Sequence, residues 1–282
     1  MLPGYNTNGF AHHRIEDAIE ILAEIGYRSV AVTVERDFLD PPDHRGVARC
    51  VDRIAPAIRQ WGLRVTIETG ARFILDPRRK HQPTLVSRRG EDRARRLEFL
   101  LATVDVAARL RADSVSLWSG AADDDADEAE CLERLCAGLR PLLHRAEGQG
   151  IRLSFEPEPG MAIDTMARFE RLVARLDHPA LGLTLDVGHV CCLDDGALRR
   201  HLDRWRDRLW NVHLENMRRG VHEHLMFGEG DIDFDEVFAA LRAVAYAGAV
   251  HVELSRHSHD AVRAAQQAYE FWCSHSGGPP PG

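Results

Sequence analysis

The stretch GLTLDVGH, residues 182–189, runs through an apolar segment, stops on an aspartate and continues into a glycine and a histidine. Its leucines predict a buried strand over 182–186, because strands of a parallel sheet are covered on both faces and carry nearly continuous apolar runs. Such a strand has no structural need for a charge at its end. Asp186 therefore indicates a functional position, and it directs attention to the ends of the other strands.

Short apolar runs alternate with amphipathic segments along the whole chain. Candidate strands cover residues 3–7, 29–34, 64–69, 114–118, 152–156, 182–186, 210–215 and 249–254. Between them lie helical patterns such as IEDAIEILAEIG, residues 15–26, with an apolar stripe and a terminal glycine. Eight strands, each followed by a helix, in 282 residues predict an α/β fold, a single (β/α)8 TIM barrel. A doubly wound open sheet fits less well, since the turn YNTNGF after the first strand is not a glycine-rich phosphate turn.

Two segments depart from this rhythm. The barrel is predicted over residues 1–274, and residues 275–282, ending in SGGPPPG, are predicted to be a disordered tail because they can bury nothing. The long connection at 70–92 is basic. It either closes over the site and binds an anionic group of the substrate or is a solvated loop or subunit contact, and the second interpretation is favoured slightly. Its basic residues are Arg72, Arg78, Arg79, Lys80, His81, Arg88 and Arg89.

Composition limits the partners. The formal net charge of −8 argues against a general nucleic-acid surface, which needs a basic face. No run approaches the roughly 18 consecutive apolar residues of a membrane span, and the first residues do not resemble a signal peptide. The 6 cysteines form no CxxC pair and indicate reduced thiols. A cytoplasmic protein without membrane contact is expected, and a homo-oligomer is left open.

Four consecutive candidate strands carry potential metal ligands: Glu156, Asp186, His213 and Glu253. The spacings of 30, 27 and 40 residues each match one strand–helix repeat, so the side chains should meet above the carboxyl ends of the barrel strands. Each residue alone can be explained as a strand cap or a salt-bridge partner of a helix. As a set they predict one divalent cation (Mn²⁺, Co²⁺, Mg²⁺ or Zn²⁺), because crowded carboxylates repel one another without a cation.

These four residues, together with DVGH at 186–189 and HxxxGEGDID at 224–233, resemble the xylose isomerase-like TIM-barrel superfamily. That superfamily includes ketose 3-epimerases, hydroxypyruvate isomerases, inosose dehydratases and zinc-dependent abasic-site endonucleases. The resemblance to the 3-epimerases implies a metal-dependent isomerase or epimerase of a small sugar, polyol or keto acid, acting through an enediolate. Glu156 and Glu253 would be its catalytic base and acid.

The segment GVHEHLMFGEGDID, residues 220–233, is predicted to be a loop because of its glycines. In the endonuclease branch of the superfamily, a zinc ion is bound at positions that correspond here to His189, His222 and His224. In the epimerases, equivalent residues contact the substrate. We therefore expect these three histidines to bind substrate, with a second metal as the alternative and a solvent-facing loop without a role as the third interpretation.

Other rim residues are predicted substrate contacts: Glu158, Glu68, Trp118, Asn6, Asn8 and Arg256. Three of them have a structural alternative. The prolines around Glu158 also suit a rigid turn, Trp118 also suits a buried core, and Arg256 also suits an exposed position.

Three other functions compete with the epimerase. An inosose dehydratase-like lyase would use the same metal site. An abasic-site endonuclease is disfavoured because the third and fourth strands end in Glu68-Thr69 and Trp118-Ser119 where that branch has histidines. A catalytically silent barrel is disfavoured by the complete ligand set.

Overall fold

The structure, a computed structural model, describes residues 1–35, 38 and 44–278. Its barrel strands are β1 (Leu2–Asn6), β2 (Ser29–Thr33), β3 (Arg64–Glu68), β4 (Ser114–Leu117), β5 (Leu153–Phe155), β6 (Leu181–Asp186), β7 (Leu209–Leu214) and β10 (Ala249–Val252). A separate antiparallel hairpin consists of β8 (Asn216–Arg218) and β9 (Val221–Leu225). The helices are α1 (Ile15–Ile25), α2 (His44–Trp61), α3 (Gly90–Leu110), α4 (Glu128–Gly148), α5 (Met166–Leu176), α6 (Val187–Leu193), α7 (Leu198–Trp205), α8 (Phe234–Ala243) and α9 (Ala261–Ser276).

The barrel strands close in the order β1-β10-β7-β6-β5-β4-β3-β2, which confirms the predicted (β/α)8 barrel. Each strand begins and ends within two residues of the position expected from its apolar run. The strands are almost entirely buried, as expected for parallel strands that are covered by helices outside and packed side chains inside.

The chain consists of two compact units. The first comprises Met1–Val32, Ile54–Thr66 and Thr184–Gly282, and the second comprises Thr33–Arg53 and Ile67–Leu183. In the first unit β10 pairs with β1 and β7, and His251 lies opposite His213. In the second unit β5 pairs with both β4 and β6.

The helix boundaries follow from local sequence. α1 buries Ala18, Ile19 and Leu22 and ends at Gly26, whose φ of 125° is readily available only to glycine. α6 begins after Asp186, whose side chain accepts a hydrogen bond from the backbone nitrogen of His189 at 2.7 Å. Asp186 is thus both the last residue of β6 and the N-cap of α6. No helix in the described part of the chain is long and apolar enough to cross a membrane.

The predicted loop at 220–233 is partly wrong, because residues 221–225 form β9 and pair with β8. Gly220, at φ 72°, makes the tight turn between the two strands. The glycines therefore mark the turns at the ends of the hairpin, while the HEH triplet between them is extended.

Two other boundaries differ from expectation. α3 already begins at Gly90, so the last three residues of the predicted 70–92 connection are helical. α9 continues through Ser276, past the predicted start of the tail at residue 275. Residues 279–282 of that tail lie outside the described residues.

Three of the seven basic side chains of the connection pair with nearby acids. Arg79 lies 2.7 Å from Asp76, Arg89 lies 2.5 Å from Glu91, and Arg72 forms an ion pair with Glu35. Arg78, Lys80 and Arg88 are exposed. The roles expected for this connection stay predictions.

Gly188 occupies a position where only a hydrogen atom fits. A Cβ there would lie 1.9 Å from the carboxyl oxygen Oε1 of Glu215 and 2.7 Å from Cε of Met217. Glu215 is completely buried, so its carboxyl group has little freedom to move aside. The glycine of DVGH therefore lets α6 approach the residues that follow β7.

We expect Gly188→Ala to lower the free energy of unfolding by about 1–3 kcal/mol, the usual cost of overpacking a core. Gly148→Ala is the matched control, because a Cβ at this α4 position meets no heavy atom within 4 Å. Denaturant unfolding followed by circular dichroism measures both. Equal stability of the two variants would contradict the close approach of Glu215.

Candidate metal centre

Three of the predicted ligands meet in the first unit. Asp186 ends β6, His213 lies on β7, and Glu253 follows β10 directly. Nδ1 of His213 is 2.9 Å from Oε2 of Glu253 and 3.8 Å from Oδ2 of Asp186. One ligand atom from each residue lies within 4.8 Å of the others. Parallel strands ending at one rim account for this convergence.

The donor set fits a divalent cation. Oδ2 of Asp186 is buried and has no hydrogen-bond partner within the described residues. No direct hydrogen bond from these residues therefore replaces the lost hydration of this carboxylate oxygen. One imidazole nitrogen and several carboxylate oxygens are ligands that Zn²⁺, Mn²⁺ and Co²⁺ accept.

The pKa values of the two acids favour their anionic forms. Burial by itself raises the pKa of Asp186, but the adjacent imidazoles of His189 and His213 outweigh it and lower the pKa below its ordinary value. Burial likewise opposes ionisation of Glu253, yet His213 lowers the pKa of this carboxyl group far below its usual range. Both residues are therefore ionised at neutral pH, as metal ligands must be.

Asn8 orients Glu253 from the opposite end of the chain. Its side-chain Nδ2 donates a hydrogen bond to Oε1 of Glu253 at 2.7 Å. The side chain of the neighbouring Asn6 caps the short 3₁₀ helix Thr7–Phe10. It accepts a hydrogen bond from the backbone nitrogen of Asn8 at 3.0 Å. The predicted substrate contact of Asn6 stays a prediction.

Glu215 was not expected from the sequence. It is completely buried beside Asp186, and both of its carboxyl oxygens lack a hydrogen-bond partner among the described residues. Burial, and then the charge of Asp186, raise its pKa well above the ordinary value. The sequence does contain one indication of Glu215: it lies two residues after His213, and alternate residues of an extended segment share one face.

The three histidines form a cluster beside these ligands. Nε2 of His189 lies 3.1 Å from Nε2 of His222, and the ring centres of His189 and His224 are 6.2 Å apart. His189 is buried on α6, whereas His222 and His224 project from β9 toward the same side. The structure thus brings all three predicted residues together.

Burial lowers the pKa of His189 to about 4, and the positive charges that His222 and His224 can carry lower it further, although Asp186 opposes the shift. His189 is therefore neutral at pH 7 and offers a nitrogen lone pair or an N–H. Two nitrogens bound to one tetrahedral zinc ion lie about 3.4 Å apart, close to the separation of His189 and His222. Nδ1 of His224 is buried and has no hydrogen-bond partner in the part of the chain that the structure describes. The cluster can bind either substrate oxygen or a cation.

The second unit holds Glu156, Glu158 and Glu68. Glu156 directly follows β5, is 4% exposed, and its backbone nitrogen donates to the carbonyl of Leu117 at 2.8 Å. Glu158 lies in the turn that follows, with its carboxylate near that of Glu156. Glu68 is buried at the end of β3. The roles predicted for these three acids stay predictions.

Trp118 is packed as a core residue. The guanidinium of Arg96 lies 4.8 Å from its ring centre, and the imidazole of His81 meets the ring edge-on at 5.1 Å. Arg96 also donates to the carbonyl of Thr69 at 2.9 Å. Only 9% of Trp118 is exposed, so a substrate would meet a small part of its surface.

Arg256 is an exposed residue that pairs with Glu223. Glu223 lies between His222 and His224, and alternate residues of a strand point to opposite faces. The ion pair thus links the outward-facing residue of β9 to the segment after β10. The substrate contact predicted for Arg256 stays a prediction.

Comparison with known proteins identifies the family. The family model described as "Xylose isomerase-like TIM barrel" matches residues 19–275. An inosose dehydratase of Lactiplantibacillus plantarum is 28% identical over 162 residues, which cover 51% of this chain and 54% of that protein. The chain therefore spans about half the length of the curated relatives it matches.

Solved structures agree on the fold. An L-ribulose 3-epimerase is 19% identical with a TM-score of 0.77, covering 98% of this chain and 94% of that one. The IOLI protein, solved with a zinc atom, is 14% identical with a TM-score of 0.76 and 98% coverage of both chains. At these identities the likeness concerns the fold alone. The family match spans nearly the whole chain, which therefore belongs to the xylose isomerase-like TIM-barrel family.

Proposed function

We propose that this protein is a divalent-metal-dependent enzyme that isomerises or epimerises a small sugar, polyol or keto acid by moving a proton next to a carbonyl group. The observation that carries the proposal is the arrangement of Asp186, His213 and Glu253, in which two ionised carboxylates and an imidazole converge. Glu156, which ends the strand adjacent to β6, completes the ligand set.

The chemistry divides between the cation and the side chains. A bound divalent cation would polarise a substrate carbonyl and acidify the neighbouring C–H bond. Glu253 then removes the proton, because His213 keeps it ionised and Asn8 fixes its orientation. Glu156 serves as the second proton carrier, acting on the opposite face of the enediolate for epimerisation or on the neighbouring carbon for isomerisation.

The histidine cluster binds the substrate in this proposal. A neutral His189 can donate to or accept from a hydroxyl group, and His224 supplies a nitrogen that has no partner within the described residues. Polyol substrates carry several hydroxyl groups, so a surface with several imidazole nitrogens complements them.

A dehydratase is the second candidate, favoured by one observation: the inosose dehydratase of L. plantarum matches about half of this chain at 28% identity. The same proton abstraction followed by loss of a β-hydroxyl group would release water. A panel of ketoses, inososes and their phosphates, incubated with Mn²⁺ or Co²⁺ in D₂O, separates the two reactions. Deuterium incorporated next to the carbonyl group without loss of water indicates isomerisation or epimerisation. A product that has lost one water molecule indicates dehydration.

On the substrate that this panel identifies, we expect Glu253→Gln and Glu156→Gln each to lower kcat at least about 100-fold, because each removes a proton carrier. The fold should persist, since glutamine has the shape of glutamate. Glu24→Gln, at an exposed position of α1, is the control and should keep its activity. Near-native kcat in either test variant would exclude the two-carboxylate mechanism.

For the histidine cluster, we expect His224→Ala to raise KM while the number of bound metal ions stays unchanged. Elemental analysis after dialysis gives the metal count, and steady-state kinetics give KM. His144→Ala, an exposed position of α4, is the control. Loss of one metal equivalent would instead assign a second cation to the cluster, and unchanged kinetics with an unchanged count would leave the cluster without either role.

A further inference from the structure

A line of buried polar side chains runs through the first unit and ends at the proposed metal ligand His213. Oγ of Ser29 lies 2.9 Å from Nε2 of His251, and Nδ1 of His251 lies 2.7 Å from Oδ1 of Asn211. Nδ2 of Asn211 lies 3.0 Å from Nε2 of His213. None of these residues is more than 1% exposed. Ser29, His251 and Asn211 are called the relay below.

The direction of each hydrogen bond in the relay decides which nitrogen of His213 carries a proton. When the amide nitrogen of Asn211 faces His213, it donates to Nε2, so the single proton of a neutral His213 sits on Nδ1. There it is donated to Oε2 of Glu253 at 2.9 Å. This arrangement leaves no lone pair on Nδ1 for a cation.

At the other end of the relay, the Ser29 hydroxyl can also form its hydrogen bonds in two ways. The imidazole of His251 lies between the Ser29 hydroxyl and the Asn211 amide, so each of its two ring nitrogens has one hydrogen-bond partner in the relay. The hydroxyl proton of Ser29 has two acceptors within reach: Nε2 of His251 at 2.9 Å and the carbonyl oxygen of Arg64 at 3.1 Å. The Ser29 hydroxyl can therefore either donate to His251 or accept from it.

A second arrangement exchanges the donor and the acceptor of every hydrogen bond in the relay and leaves the side chains in the same positions. A half-turn of the Asn211 amide exchanges its oxygen and nitrogen, so the oxygen accepts from Nε2–H of His213 and the nitrogen donates to Nδ1 of His251. His251 then donates through Nε2 to Ser29, whose proton turns to the Arg64 carbonyl. Each imidazole keeps one proton and no proton is gained or lost. Nδ1 of His213 now presents its lone pair toward Asp186 and Glu253.

We propose that the relay sets the tautomer of His213 and that cation binding reverses it. Ser29, His251 and Asn211 are positioning residues, because they act on the cation only through His213. Hydrogen bonds to the non-coordinating nitrogen of a ligand histidine commonly fix its tautomer and raise its basicity. The inference rests on the proposed metal site.

Close packing supports a dedicated position for His251. A Cβ on Gly4 would lie 2.3 Å from Cδ2 of the His251 ring, so β1 leaves space for this imidazole by carrying a glycine. His251 and Gly4 face each other in the register of β1 and β10. The ring therefore occupies space that a side chain at position 4 would fill.

Nuclear magnetic resonance of the full chain, with ¹⁵N-labelled histidine, tests the relay directly. Without metal, His213 should carry its proton on Nδ1 and His251 on Nδ1. With one equivalent of Zn²⁺, both should carry it on Nε2, and Nδ1 of His213 should show the shift of a coordinated nitrogen. Zn²⁺ binding at His213 with the His251 tautomer unchanged would overturn the relay alone. Failure of the wild-type protein to bind Zn²⁺ through His213 would overturn the proposed metal site with it.

Two variants add an affinity measurement by calorimetry. Asn211→Leu should raise the Kd for Zn²⁺ about 10- to 100-fold, and Ser29→Ala, which removes only the last hydroxyl, should raise it less. Ser154→Ala is the matched control: Ser154 is an equally buried strand serine whose Oγ bonds to Ser114 outside the relay. Its Kd should not change. Wild-type affinity in Ser29→Ala and Asn211→Leu would contradict the proposal, and Ser29→Ala keeps the test valid if Asn211→Leu fails to fold.

Discussion

The structure of the first unit depends on the burial of acidic side chains at the ends of barrel strands. Asp186 and Glu215 are withdrawn from water, and Glu253 is only slightly exposed. A buried carboxylate must be paired, hydrogen-bonded or neutralised, because desolvation of an isolated charge costs several kcal/mol. His213 and Asn8 partly stabilise Glu253, and Asp186 caps α6, yet Oδ2 of Asp186 has no hydrogen-bond partner within the described residues. In the proposed site, a divalent cation would supply positive charge to these carboxylates.

Much of this architecture could be predicted from sequence because it depends on local signals. Fully buried strands appear in the sequence as apolar runs, so a polar residue at the end of such a run is easily recognised. Asp186, His213 and Glu253 were therefore identifiable as a set. The β8–β9 hairpin was predicted as a loop because glycine at a hairpin turn and glycine in an irregular loop look alike in one sequence.

The hydrogen bonds around these ligands could not be predicted, since they join distant parts of the chain. Ser29 and His251 are 222 residues apart, and Asn8 and Glu253 are 245 apart. Inside a barrel strand, a polar residue that faces the interior cannot be distinguished by pattern from one that faces a helix. Only the closure of the barrel, which sets β10 between β1 and β7, brings the relay together.

Members of one fold family carry out different reactions, because function resides in the site rather than in the barrel. In the proposed function, the ligand set at the strand ends would carry out the first chemical step that isomerases, epimerases and dehydratases share. The hairpin with His222 and His224 is an addition to the barrel, anchored on its outward face by the Glu223–Arg256 ion pair. Its imidazoles can distinguish substrates by the positions of their hydroxyl groups. We therefore expect relatives with different substrates to differ in sequence at this hairpin.

The central claim, that Asp186, His213 and Glu253 hold a divalent cation together with Glu156, is tested most directly by X-ray diffraction from crystals grown with Mn²⁺. Data collected at the manganese absorption edge locate the ion without ambiguity. The account predicts one strong anomalous peak at about 2.0–2.4 Å from Nδ1 of His213 and from an oxygen of each carboxylate. Fully occupied crystals with no peak at these side chains, or with a peak coordinated only by the histidine cluster, would contradict it.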